Sequence, residues 1–138
     1  MNYGIPDYRK IQFYAKWLKT FAPHLTSAQY NEYIRDAFIW HVFSFEIVPA
    51  NSFLEGDAAR AEFDKVNKDG AQCIRLWGDD EPRPLDRKLK AADIERNSQN
   101  AIEFYAVGDG FKWTYIVTHE TCCGLGPYFM YSGSAEDC

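Results

Sequence analysis

An alternating run near the C-terminus constrains the fold of this chain more than any other feature. Two sets of residues alternate between 111 and 118: Phe111, Trp113, Tyr115 and Val117 in one set, Lys112, Thr114, Ile116 and Thr118 in the other. This period of two is typical of a β-strand whose sets face opposite sides of a sheet. Residues 101–107 predict a preceding strand, 108–110 a tight connection, and 127–131 a final strand. The C-terminal part is therefore predicted to be a β-meander.

Helical patterns dominate the N-terminal half. A first helix is predicted from Asp7 to Phe21, after Pro6 and before Pro23. Its apolar stripe consists of Ile11, Tyr14, Leu18 and Phe21. Thr26 and Gln29 have the spacing of a capping box, so a second helix is expected with Tyr30 and Ile34 on its apolar face.

The middle of the chain is less regular. Residues 38–48 are apolar on all sides, so either a helix continues there or a strand begins near Val42. A short helix is predicted from Asp57 to Val66, a strand over 71–77, an exposed loop over 78–84 and a helix over 86–96. The predicted fold class is α+β, with N-terminal helices packed on a mainly antiparallel sheet in one domain over residues 1–138.

Charge and composition exclude some functions. The formal net charge is −5, and residues 42–81 contain nine acidic and four basic side chains. Nucleic-acid binding is not expected, because it requires a basic face. An acidic surface favours a basic protein partner, but acidic surfaces also simply keep proteins in solution. No signal peptide or membrane-spanning run is visible, so we expect a cytoplasmic protein with reduced thiols and no membrane association.

Four side chains that can carry chemistry follow the alternating strand: His119, Glu120, Cys122 and Cys123. His119 and Cys122 have a zinc-ligand spacing, but no second pair accompanies them, so no metal site is predicted. A cysteine nucleophile with His119 as its base would also need a suitable geometry, which closeness along the chain does not provide. No cofactor motif is present, since the glycines at 124 and 126 lack the rest of a phosphate-binding loop.

Two further groups complete the candidate sites. His41 and Glu46 flank the apolar centre, where they could act as an acid–base pair if both lined a cleft. The exposed loop contains Asp79, Asp80 and Glu81 close to Trp77, which together suit contact with a basic protein.

Two segments resemble a small bacterial family of uncharacterised proteins. They are Phe-Ile-Trp-His-Val-Phe-Ser-Phe-Glu at 38–46, and Trp-Thr-Tyr-Ile-Val-Thr-His-Glu at 113–120 with Gly-Pro-Tyr-Phe at 126–129. The resemblance implies a bacterial cytoplasmic setting and contact between the two segments, but no activity and no catalytic residues.

Two functions follow as expectations. The first is a non-catalytic protein-binding module, for example an immunity-type antagonist of a toxin. The alternative is a small enzyme or ligand-binding protein whose site includes His119, Glu120, Cys122, Cys123, His41 and Glu46.

Overall fold

A computed structural model describes residues 8–34, 41–44, 47–68, 70–75, 82–97, 104–118 and 126–132. Within these ranges the side chains of 8–11, 33, 41, 44, 50, 75 and 95–97 are not described.

Helices occupy most of the first half of the described chain. They are α1 (Tyr8–Phe21), α2 (Ser27–Gln29), a π-helical turn (Tyr30–Ile34), α3 (His41–Ser44), α4 (Asp57–Val66) and α5 (Ala91–Asn97). Single 3₁₀ turns occur at Ala50–Ser52 and Asp109–Phe111. Residues 41–44 are helical, so no strand begins at Val42. Whether the predicted second helix continues to them stays a prediction, because 35–40 lie outside the described residues, as do 45–46.

Six described strands form one antiparallel sheet. They are β1 (Leu54–Glu55), β2 (Gln72–Arg75), β3 (Arg83–Pro84), β4 (Phe104–Val107), β5 (Trp113–Val117) and β6 (Tyr128–Tyr131), in the order β1-β6-β5-β4-β2-β3. β4, β5 and β6 are neighbours in sequence and in the sheet, so the predicted C-terminal meander and the α+β class are confirmed.

One face of the sheet is covered by the N-terminal helices. The buried residues of this first cluster are Phe13, Trp17, Phe21, Ala22, Ile34, Val42, Phe43 and Val48 against Ile74, Tyr105, Val107, Phe111, Ile116, Tyr128 and Met130. The Trp17 indole N–H donates to the Thr114 hydroxyl at 2.7 Å, and that hydroxyl donates to the Ala106 carbonyl at 2.8 Å. Both bonds are buried, so α1 is tied to the sheet by polar as well as apolar contacts.

The opposite face is covered by α4 and α5. The buried residues of this second cluster are Ala59, Phe63, Ala71, Leu85, Ala91 and Ile94 with Phe104, Ala106, Trp113, Tyr115, Val117 and Phe129 of the sheet or its approach. Phe63 stacks on Tyr115, with ring centroids 4.4 Å apart. The described part of the chain therefore has three layers, and every residue of β5 is buried on one side or the other.

Very short strands end the sheet on both sides. β1 pairs with β6 only through Leu54 with Phe129 and Glu55 with Tyr128. At the far side β3 pairs with the first half of β2. Short edge strands and an edge proline, here Pro84, limit pairing with other chains.

The prediction of a loop over 78–84 was wrong at Arg83–Pro84, because these residues pair with Gln72 and Cys73.

The N-terminal predictions need two corrections. α1 and the Thr26–Gln29 capping box are confirmed, with both reciprocal hydrogen bonds present. However, Phe13 and Trp17 are the residues of α1 that join Phe21 in the first cluster, while Tyr14 and Leu18 are half-buried. The Ile11 side chain and the Asp7 cap lie outside the described residues. Tyr30, expected on an apolar face with Ile34, is exposed, whereas Ile34 is buried; both belong to the π-helical turn.

Two C-terminal predictions were also wrong in detail. Phe111 does not share a face with Trp113, because it belongs to a 3₁₀ turn with φ 56° and packs on Phe13 with centroids 5.4 Å apart. The helix expected over 86–96 begins only at Ala91. The segment before it is held as a turn, since the Asn67 amide donates to the carbonyls of Asp86 at 2.9 Å and Leu89 at 3.1 Å.

Candidate functional site

Most of the predicted site residues lie outside the described part of the chain. This holds for His119, Glu120, Cys122, Cys123 and Glu46, and likewise for Trp77, Asp79, Asp80 and Glu81. The backbone of His41 lies in α3, but its side chain is not described. Whether the two histidines converge therefore stays a prediction.

Described residues that neighbour the candidate site residues in sequence nevertheless lie close together in the structure. Phe43 of the 38–46 segment stacks on Tyr128 of the 113–129 segment, with ring centroids 5.0 Å apart and an interplanar angle of 23°. The sheet register also aligns Arg75, the last residue of β2, with Phe104, and Phe104 with Val117, the last residue of β5. The two segments that carry the resemblance therefore meet, and the chain leaves β2 and β5 at the same end of the sheet.

A groove lies where β1 ends beside β6, and it is called the edge groove below. It has a volume of about 270 Å³ and is lined by Asn51, Ser52, Phe53, Leu54, Glu62, Phe129, Met130 and Tyr131. Leu54, the first residue of β1, pairs with Phe129 of β6. Met130 and Tyr131 therefore continue β6 beyond the part that is paired with β1. The lining combines buried Phe129 and Met130 and exposed Tyr131 of β6 with the half-buried Glu62 side chain of α4.

The rims of the edge groove expose apolar surface. Leu54 is 37% exposed and Tyr131 46% exposed, and they are two of three large hydrophobic side chains exposed among the described residues. The ring of Tyr131 meets that of Phe129 edge-on, with centroids 5.0 Å apart. Isolated exposed apolar residues are common on any protein, and these two share one groove.

Glu62 and Tyr131 form the polar centre of the edge groove. The Tyr131 hydroxyl donates a hydrogen bond to Glu62 Oε2. Partial burial, the hydrogen bond and the nearby negative charge raise the pKa of Tyr131 to about 12. At neutral pH the phenol therefore keeps its proton. Lys65 Nζ lies 3.8 Å from the same carboxylate oxygen and is largely exposed.

A second cleft adjoins the edge groove. It has a volume of about 220 Å³ and lies between the end of α1 and residues 47–52, with Phe21, Ala22, Leu25, Ile47, Val48 and Pro49 as its apolar walls. Ser52 and Met130 line both depressions, so they form one continuous surface. Exposed His24 lies at this cleft, but it has no acidic partner among the lining residues.

Within the described ranges, no three His, Cys, Asp or Glu side chains are placed to hold a metal ion. No helix in those ranges has both the length and the apolarity needed to cross a bilayer. The edge groove offers apolar contact, one carboxylate, one phenolic hydroxyl, and the side chains of Asn51 and Ser52.

These features define a three-layer α+β domain with an amphipathic groove at one edge of its sheet. Residues 5–129 match the family model of DUF4275, a domain of unknown function, and the chain belongs to that family. Searches of curated proteins and of solved structures each found no match.

Sequence reasoning did not find the edge groove. Glu62 and Tyr131 are 69 positions apart, and no motif connects a helical glutamate with a tyrosine at the end of a strand. The only available signal was the alternation in β6, which places Tyr131 on the same face as Phe129 and hence on the side of α4. Leu54 gave no signal, because β1 is too short to show a period.

Proposed function

We propose that the protein is a non-catalytic binding module that holds a basic protein partner at the edge groove. The observation that carries this proposal is the exposure of Leu54 and Tyr131, which both line a groove whose one charged lining residue is acidic. Apolar and aromatic side chains beside a pocket provide the buried anchors of protein interfaces. A polar group among them gives orientation.

The charge distribution supports a basic partner. Residues 42–81, which contribute Leu54 and Glu62 to the groove, have nine acidic against four basic side chains. A net acidic charge accelerates encounter with a positively charged protein. The class that fits best is a small antagonist that neutralises a basic toxin domain by covering it, as immunity-type proteins do. That class further assumes the bacterial cytoplasmic setting implied by the resemblance.

Site-specific photocross-linking tests the proposal. A benzophenone amino acid replaces Leu54 in the full-length chain, and a matched variant has it at Gln12, an exposed position on α1. Both proteins are irradiated in lysate of the cells that encode them, and the adducts are identified by mass spectrometry. We expect the Leu54 probe to capture one basic protein that the Gln12 probe does not capture.

The captured protein is then purified and studied with the unlabelled chain. We expect a one-to-one complex whose association slows as salt is added, and loss of the partner's activity when the complex forms. Identical adducts from Leu54 and Gln12, or a captured protein that forms no complex, would contradict the proposal.

A ligand-binding or enzymatic role is the alternative, and one contact favours it. The stacking of Phe43 on Tyr128 brings α3, with His41, next to the strand that follows the cysteine pair in sequence. The test is incubation of the protein with a metabolite extract, with the variants His119→Ala and Cys122→Ser as comparisons. A metabolite that the wild-type protein binds or consumes and both variants leave alone would support this role. An extract that the wild-type protein leaves unchanged would exclude it.

A further inference from the structure

The edge groove contains one charged side chain among its described lining residues, the carboxylate of Glu62. This side chain is 20% exposed, so it is partly removed from water without being sealed off. A carboxylate in such a position requires hydrogen-bond donors, because its four lone-pair directions are costly to leave unmatched.

The donors around Glu62 use only one of its oxygens. The Tyr131 hydroxyl and the Lys65 ammonium both approach Oε2, the latter at 3.8 Å with a side chain that is 73% exposed. Within the described residues no donor reaches Oε1. One carboxylate oxygen is therefore available to a group that enters the groove.

The walls specify what kind of group can enter. Phe53, Leu54, Phe129, Met130 and Tyr131 line the groove beside Glu62, with Asn51 and Ser52 as the other polar residues, so apolar surface dominates around the carboxylate. Long basic side chains match this arrangement, since their methylene stems cover apolar surface while the charged end remains polar. The ring of Tyr131 adds a face over which a cation is attracted. At about 270 Å³ the groove falls below the roughly 300–1,000 Å³ typical of sites for drug-sized ligands.

We propose that the edge groove is a pocket for one arginine or lysine side chain of the protein partner. The cationic group binds Glu62 Oε1, and its stem lies between Leu54 and Tyr131. Arginine fits better than lysine, because a planar guanidinium can hydrogen-bond a carboxylate and also stack on the Tyr131 ring. This inference rests on the proposed binding function and names the chemistry that the partner must present.

The experiment uses a peptide rather than the unidentified partner. The full-length ¹⁵N-labelled protein is titrated with acetyl-Ala-Ala-Arg-Ala-Ala-amide, and amide shifts are followed by NMR. Matched peptides replace arginine by lysine or by citrulline, which keeps the shape of arginine without its charge. We expect saturable shifts for Leu54, Glu62 and Tyr131 with the arginine peptide, weaker binding of the lysine peptide, and at least about tenfold weaker binding of citrulline.

Two protein variants separate the pocket from general electrostatic attraction. Glu62→Gln removes the carboxylate, and Glu32→Gln removes the same charge from an exposed position that lines neither depression. We expect Glu62→Gln to reduce affinity for the arginine peptide by about tenfold or more and Glu32→Gln to leave it within about twofold. The NMR spectrum of each variant shows whether the fold is retained.

Equal shifts with arginine and citrulline peptides, shifts outside the groove, or unchanged affinity in Glu62→Gln would overturn the cation pocket. Those results would leave the binding function intact, because the Leu54 cross-link tests it without any assumption about arginine. A failed cross-link together with specific arginine binding would instead overturn the protein-binding role and retain the pocket.

Discussion

The hydroxyl of Thr114 joins two layers of the molecule at the scale of a single residue. It accepts from the Trp17 indole at 2.7 Å and donates to Ala106 at 2.8 Å, in a fully buried position. Thr114→Val keeps the shape but leaves the indole N–H without an acceptor. We expect the free energy of unfolding to fall by about 1–3 kcal/mol. Urea denaturation measures this loss.

Thr114→Ser is the matched control, because it retains the hydroxyl and removes only a methyl group. We expect it to lose less stability than Thr114→Val. The double variant Trp17→Phe, Thr114→Val then gives the coupling energy between the two side chains. Equal losses in the valine and serine variants would show that the hydroxyl contributes nothing.

Tyr131 has a pH dependence that follows from its contact with Glu62. Partial burial is the largest cause of its raised pKa, of about 12, and the hydrogen bond and charge of Glu62 add to it. Because the unfolded tyrosine titrates near 10, the folded state binds this proton more tightly between those two values. The corresponding stability is fully present below pH 10 and is lost as pH rises towards 12.

NMR of ¹³C-labelled tyrosine measures this titration, with Tyr131→Phe identifying the resonance. We expect Glu62→Gln to lower the pKa of Tyr131 while leaving it above the unfolded value, since burial remains. We also expect Tyr131→Phe to lose stability less steeply over this pH range than the wild-type protein. A Tyr131 pKa unchanged by Glu62→Gln would show that the hydrogen bond is not formed in solution.

At the scale of elements, the start of α5 depends on a residue from another helix. Lys90, which precedes α5, has no acceptor in its side chain. Asp64 of α4 supplies one, accepting from the Ala91 amide at 2.7 Å, while Asp93 accepts from the Lys90 amide at 3.2 Å. α4 and α5 are therefore connected by a helix cap as well as by apolar contacts.

Asp64→Ala removes that connection. We expect a loss of about 0.5–2 kcal/mol in the free energy of unfolding, together with faster hydrogen exchange of the α5 amides. Asp57→Ala, at the start of the same helix, removes an ion pair with Arg60 and a first-turn carboxylate, and it should leave α5 exchange unchanged. Equal exchange rates for α5 in both variants would contradict a role of Asp64 as its cap.

Elements with a strong local signal could be predicted from the sequence, and those fixed by distant contacts could not. α1, α4 and the three strands of the meander have clear periods or caps. β1 and β3 contain two residues each, too few to display a period, and exist because a neighbouring strand pairs with them. The late start of α5 likewise depends on Asn67, which is separated from Asp86 by 19 positions.

The arrangement of the whole molecule explains why the groove could not be predicted. Strand alternation correctly placed Trp113, Tyr115 and Val117 on one face, but it did not show that Thr114 and Ile116 would be buried as fully. Burial of both faces results from helices that pack on opposite sides of the sheet. The edge groove arises where α4 on one face meets the end of β1, and both positions are set by tertiary packing.

The two buried clusters should unfold as one unit, because alternate residues of the same strands belong to different clusters. In β5, Tyr115 belongs to the second cluster and Ile116 to the first, so neither cluster can open without disturbing the shared ladder.

We expect Phe21→Leu and Phe63→Leu each to lower the free energy of unfolding by about 1–3 kcal/mol. The indole NMR signals of Trp17 and Trp113 report the first and second cluster, respectively. In a urea titration both signals should vanish at one midpoint, and each substitution should lower that midpoint equally for both. If Phe63→Leu lowered the midpoint of Trp113 alone, the two faces would be separate cooperative units.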